Sequence, residues 1–88
     1  MSSSGSRRRT DCTGPVQSVR RALELIEALE RVESGEIGDL ARLHGVHRST
    51  TLRLLQTLEQ FGYVTRGPGR GEFRLGIRLY VLGMAARQ

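Results

Sequence analysis

The sequence has no lysine and no tryptophan, a single cysteine, two prolines and few aromatic residues in 88 positions. With Cys12 alone, an intrachain disulfide is impossible and a reducing compartment fits, which points to the cytoplasm. No apolar run approaches the ~20 residues that span a bilayer, so no membrane partner is expected. The basic SRRR near the start is followed by the polar TDCTGPVQS, which is no h-region, so no export signal is read there. His44 and His47 lack a third ligand nearby, which argues against a metal. A domain of this size buries only roughly 60–65% of its unfolded surface, and no Ser/His/Asp or Cys/His set fits so small a core. The expectation is therefore no enzyme and no cofactor.

Basic charge is abundant, and all of it is arginine. Fourteen arginines against nine acids leave a net charge of +5. Arginine suits bidentate contact with phosphate and guanine, although a GC-rich coding sequence explains the missing lysine more simply. The distribution says more than the sum. Residues 16–47 carry a net −2, whereas residues 48–88 carry seven arginines against Glu59 and Glu72, a net +5. Such asymmetry points to nucleic acid or another acidic surface.

Residues 1–14, MSSSGSRRRTDCTG, read as a disordered tail. Arg7–Arg9 there read as a solvated run rather than a minor-groove arm. From Val16 to about Val32, Val19, Ala22, Leu23, Ile26 and Leu29 recur at helical spacing and predict an amphipathic helix, with Ser18 a candidate cap and Arg20–Glu24 and Glu27–Arg31 as outer i,i+4 pairs. Glu36-Ile37 reads as a short extended step, Asp39–His44 as a short helix ended by Gly45, and His47 or Ser49 as the start of a helix running to about Gln60. Tyr63–Thr65 and Glu72–Leu75 flank GPGRG and predict a hairpin. No Gly-Lys-Ser/Thr follows that turn, so it is no nucleotide-binding loop. Residues 77–86 predict a last helix with Leu79, Leu82 and Ala86 as its stripe.

The stretch HRSTTLRLLQTL at 47–58 carries the function. As a helix it places Thr51, Leu54, Leu55 and Leu58 on one face and Ser49, Arg53, Gln56 and Gln60 on the other, flanked by Thr50 and Thr57. That outer face has hydroxyls, amides and a guanidinium but no carboxylate, whereas ordinary solvent faces mix both signs. Ala41 lies four residues before Gly45, a small side chain where two helices cross and then a glycine for the turn. Leu40, Val46, Leu54, Leu55 and Leu58 supply the apolar contacts at the crossing. The fold class that follows is mainly α with a small β-hairpin, a winged helix-turn-helix over residues 15–76 with a linker helix at 77–88. A helix in the major groove needs donors and acceptors toward base edges, and Arg48, Ser49, Thr50, Arg53 and Gln56 provide them. Arg66, Arg70 and Arg74, expected at the wing tip, would track phosphate.

Three stretches, VQSVRRALELIEAL, IGDLARLHGVHRSTTLRLLQTLEQFGYV and FRLGIRLYVLG, together resemble the N-terminal DNA-binding domain of the IclR family of bacterial transcriptional regulators over residues 16–83. The resemblance implies a cytoplasmic protein that binds a pseudo-palindromic operator in double-stranded DNA as a homodimer or tetramer, paired through its first helix and the helix after the wing. It implies a small-molecule effector bound only through a C-terminal domain outside this sequence. Ser49, Thr50 and Arg53 fall in the base-facing part of the family's recognition helix. Leu52 departs from the pattern, where a polar or aromatic residue is common; by geometry it lies at the edge of the outer face, to touch a thymine methyl or pack on the wing. The rival reading is a winged-helix interaction module docking an acidic protein, disfavoured by the absence of a large aromatic anchor. RNA is disfavoured by the absence of an exposed aromatic platform.

Overall fold

The computed structural model describes residues 16–87; the predicted disordered tail, Arg7–Arg9 and Cys12 lie outside them. Four helices and three short strands follow one another in the order α1 (Gln17–Glu30), β1 (Gly35–Glu36), α2 (Ile37–His44), α3 (Arg48–Gln60), β2 (Val64–Arg66), β3 (Glu72–Leu75) and α4 (Ile77–Ala86). This is the winged helix-turn-helix the sequence predicts, with one strand more than expected. β3 is central: it pairs antiparallel with β2, Val64 opposite Leu75, and on its other edge with β1, Gly35 opposite Phe73.

One core joins all these layers. Leu25, Ala28 and Leu29 of α1 meet Ile37 and Leu40 of α2, Leu55 and Leu58 of α3, and Val64 and Phe73 of the sheet. Phe73 and Leu55 are wholly inaccessible to solvent. Thr51 is the one buried polar side chain among the described residues, on the inner face of α3 where the helical period puts it.

α2 and α3 meet at Gly45, whose backbone is left-handed (φ 63°, ψ 33°). There the amide of Val46 donates to the Ala41 carbonyl (3.0 Å) and that of Gly45 to Arg42 (3.2 Å), the paired bonds of a Schellman close. The same device ends α3: Gly62 has φ 81°, Tyr63 donates to Leu58 (2.9 Å) and Gly62 to Glu59 (3.0 Å). Ala41 is buried at the crossing as predicted. Leu40, Leu55 and Leu58 are buried with it, while Val46 and Leu54 are half-buried.

Several expectations need correction. Val19 and Leu23 of α1 are 56% and 55% exposed, not core. α1 is apolar on two flanks, and α2, α3 and β3 cover only the one bearing Leu25, Ala28 and Leu29. Ser18 lies inside the helix, the N-cap is Val16, and no side chain caps it. The Arg20–Glu24 pair forms (3.4 Å), whereas Glu27–Arg31 is not an ion pair among the described residues. α2 begins two residues early, at Ile37, because Glu36 folds back to cap it. On α4, Leu79 and Leu82 are only half-buried and Ala86 is exposed, so the stripe has no partner layer.

Candidate nucleic-acid interface

The outer face of α3 is built as its periodicity requires. Its 13 residues make a rod of about 20 Å. Ser49, Arg53, Gln56 and Gln60 lie along one exposed line, with Thr57 exposed and Thr50 half-buried beside it. Thr57 Oγ1 donates to the Arg53 backbone carbonyl (2.9 Å), and the Arg53 guanidinium has no ion-pair partner among the described residues. Leu52 is half-buried and packs against the core cluster.

At the head of α3, Arg48 is exposed, and its Nη1 lies 3.6 Å from Glu36 Oε2. Glu36 serves three elements at once. Its Oε1 accepts from the amides of Gly38 (2.8 Å) and Asp39 (3.2 Å), capping α2; its residue pairs in the sheet; and its other oxygen meets Arg48. An open cleft of about 530 Å³ lies at this junction, with Arg42, His47 and Arg48 among its walls. Asp39 accepts from the Arg42 guanidinium. His44 sits behind the motif, Nδ1 3.8 Å from Glu24 Oε1 and Nε2 buried without a hydrogen-bond partner. No group of three or more His, Cys, Asp or Glu that could hold a metal exists among the described residues.

The wing is arranged differently from the expectation. Only Arg70 lies in the turn; Arg66 and Arg74 lie on the strands, so they are not at the tip. Arg74 pairs with Thr65 on the exposed side of the sheet. Arg66 pairs with Phe73, and strand alternation puts both on the core side. Its Nε lies 3.2 Å from Glu59 Oε2 and its Nη2 3.4 Å from Oε1. The turn itself is braced by Glu72, whose Oε1 accepts from the Gly69 amide (2.9 Å) and from Ser34 Oγ (3.2 Å). Arg70 and Arg74 have no ion-pair partner among the described residues.

Sequence reasoning missed Glu36, Glu59 and Glu72 as braces. Their partners lie up to 38 residues away, and no periodic signal marks such pairs. It also missed two accessible rings: Phe61 is 65% and Tyr80 66% exposed. Phe61 caps the C-terminal end of α3, with its ring 6.2 Å from that of Tyr63.

This geometry has known counterparts. Residues 18–68 match the family model described as the IclR helix-turn-helix domain. Over 69 residues the chain is 38% identical to the HTH-type transcriptional regulator XynR of Escherichia coli, covering 77% of this chain and 27% of that protein. It is 41% identical over 71 residues to the DNA-binding transcriptional repressor YiaJ of the same organism, covering 80% and 25%. The chain thus spans about a quarter of the length of these curated relatives. Among solved structures, an IclR transcriptional regulator from Alicyclobacillus acidocaldarius superposes with a TM-score of 0.76 at 31% identity, over 83% of this chain and 30% of that one.

Proposed function

The chain belongs to the IclR family of helix-turn-helix proteins, and from that membership we propose that it binds duplex DNA with sequence preference and regulates transcription. The observation that carries this is the outer face of α3: exposed Ser49, Arg53 and Gln56, no carboxylate, and a wing beside it bearing Arg70 and Arg74. Hydroxyl, amide and guanidinium groups read base edges in the major groove, and the wing arginines hold phosphate and so fix register. The acids nearest this surface do not oppose phosphate as unpaired charges: Glu36 and Glu59 face arginines, and Glu72 binds a hydroxyl and an amide. Arg48 stands at the rim, within reach of a phosphate if it leaves Glu36.

The protein acts as a homodimer on a pseudo-palindromic operator in this reading. Support comes from apolar side chains that the fold leaves uncovered: Val16, Val19 and Leu23 on α1, and Ile77, Tyr80 and Met84 on α4. These are the two helices through which the resemblance implies pairing. No described helix is long and apolar enough to cross a membrane, and the cytoplasm is the compartment that DNA regulation in a bacterium requires.

Selection from a random duplex pool at moderate salt, with sequencing of the bound fraction, tests the proposal. The expected result is an enriched inverted repeat with half-sites about 10 bp apart or a related spacing. Binding without an enriched motif would leave only phosphate contact. Retention of no duplex, with binding to an acidic protein instead, would replace the reading with protein docking.

A further inference from the structure

Arg66 remains exposed to solvent, yet its guanidinium is held by contacts within the protein, and the manner of its holding assigns it a role. The register sets it opposite Phe73, so its side chain lies over the inner surface of the sheet while Thr65 and Arg74 take the outer one. Its guanidinium carbon stands 4.7 Å from the centroid of the Phe73 ring, a ring with no solvent exposure. Two of its nitrogens reach the two oxygens of Glu59, at 3.2 and 3.4 Å. Glu59 lies in the last turn of α3 and is the only acid on that helix. A planar guanidinium can satisfy a carboxylate fork at its edge and an aromatic ring at its face together, which an ammonium cannot.

We propose that Arg66 is a positioning residue, a clamp that fixes the wing to the C-terminal turn of α3 and thereby sets the distance between Arg53, which reads bases, and Arg70 and Arg74, which hold phosphate. The assignment rests on the DNA-binding reading. It differs from the obvious role for a wing arginine, direct phosphate contact. The clamp also explains why a carboxylate is tolerated at the edge of a surface that approaches DNA: Glu59 meets a cation already. Glu72, one residue before Phe73 on β3, completes the arrangement, tying the turn to Ser34 in the loop after α1. Both strands of the hairpin are thus held where they enter the turn, and the wing arrives at DNA with its shape set.

Salt dependence separates the two roles, because each phosphate contact contributes about 0.9 to the slope of log K against log salt. The full chain and its Arg66→Gln, Arg66→Lys, Glu59→Gln and Arg70→Gln variants are titrated with the selected operator and with random duplex over a salt series. Arg70→Gln is expected to lower the slope by about 0.9 on both duplexes. Arg66→Gln and Glu59→Gln are expected to keep the wild-type slope, weaken operator binding several-fold and narrow the ratio of operator to random affinity. Arg66→Lys is expected not to restore that ratio. A slope lowered by about 0.9 in Arg66→Gln, or steepened in Glu59→Gln as Arg66 is released to a phosphate, would overturn the clamp.

A double-mutant cycle in thermal unfolding reads the same contact without DNA. The Glu59→Gln/Arg66→Gln double variant should lose no more in Tm than the worse single variant, since either change breaks the pair. Additive losses would overturn the clamp. If the wild-type protein retains no duplex, the DNA-binding reading fails by itself, and the cycle still decides whether the clamp exists.

Discussion

Replacing Gly45 with alanine isolates the conformational demand of the turn between α2 and α3. A Cβ built at Gly45 meets no heavy atom within 4 Å, so the substitution causes no clash. What remains is the backbone: φ is 63°, and an L-residue there costs about 1–2 kcal/mol. Alanine also narrows the unfolded ensemble, which returns about 0.4–1 kcal/mol. The net loss is about 1 kcal/mol, which for a domain of this size is a fall in Tm of about 4–8 °C. Asparagine tolerates the left-handed region better and should lose less. Gly83 supplies the control. It too has open space around its Cβ, but it lies inside α4 without a positive φ. There the same change should stabilise, by up to about 1 kcal/mol from helix propensity. Thermal unfolding of the three variants, followed by far-ultraviolet circular dichroism, decides the matter. A Gly45→Ala protein as stable as wild type, or a Gly45→Asn protein less stable than Gly45→Ala, would refute the account of the turn.

Other expectations concern the surface and the core. Arg53→Ala should cost operator binding about 1–3 kcal/mol and relax the preference at one base; equal losses on operator and random duplex in the same titration would remove Arg53 from base reading. Arg70→Gln, by removing one phosphate contact, should weaken all duplexes alike, by about threefold more at 50 mM than at 200 mM salt. Fluorescence anisotropy at the two salts measures it, and an unchanged ratio would take the turn away from DNA. Leu55→Ala, at a site with no solvent exposure where α3 meets the rest of the core, should lose about 2–5 kcal/mol in urea unfolding. A loss below about 1 kcal/mol would mean that the site closes around the gap.

Much of this fold is legible because its signals are local. A left-handed glycine after a short helix, a small residue four positions earlier and a three-to-four-residue apolar period are all read within one or two helical turns. For that reason the sequence places α3 to within a residue, and the exposed line of Ser49, Arg53 and Gln56 with it. The sequence places the hairpin to within one residue at its first strand, because Gly and Pro punctuate GPGRG. α1 is less legible. Its apolar residues are broad enough to make two stripes, and periodicity ranks neither. Only the docking of α2, α3 and β3 decides that Leu25 and Leu29 go inside and Val19 and Leu23 stay out.

The braces belong to the same second class. Gly35-Glu36 is too short to announce a strand and becomes one only because the edge of β3 is there to receive it. Glu36 reads as one more exposed acid until the start of α2 and the side chain of Arg48 converge on it. Arg66 shares its residue type with Arg70 and Arg74, and their roles diverge through the pleat and through Phe73 and Glu59 beneath one of them. The sequence by itself determined the order of the helices and the hairpin, the turn between α2 and α3, and a polar face on α3 with no carboxylate. Tertiary structure decided which flank of α1 is buried, which acids are neutralised and which arginines remain for a ligand. Backbone preference and apolar period act over a few residues, whereas a charge pair or a strand edge exists only once distant segments have packed.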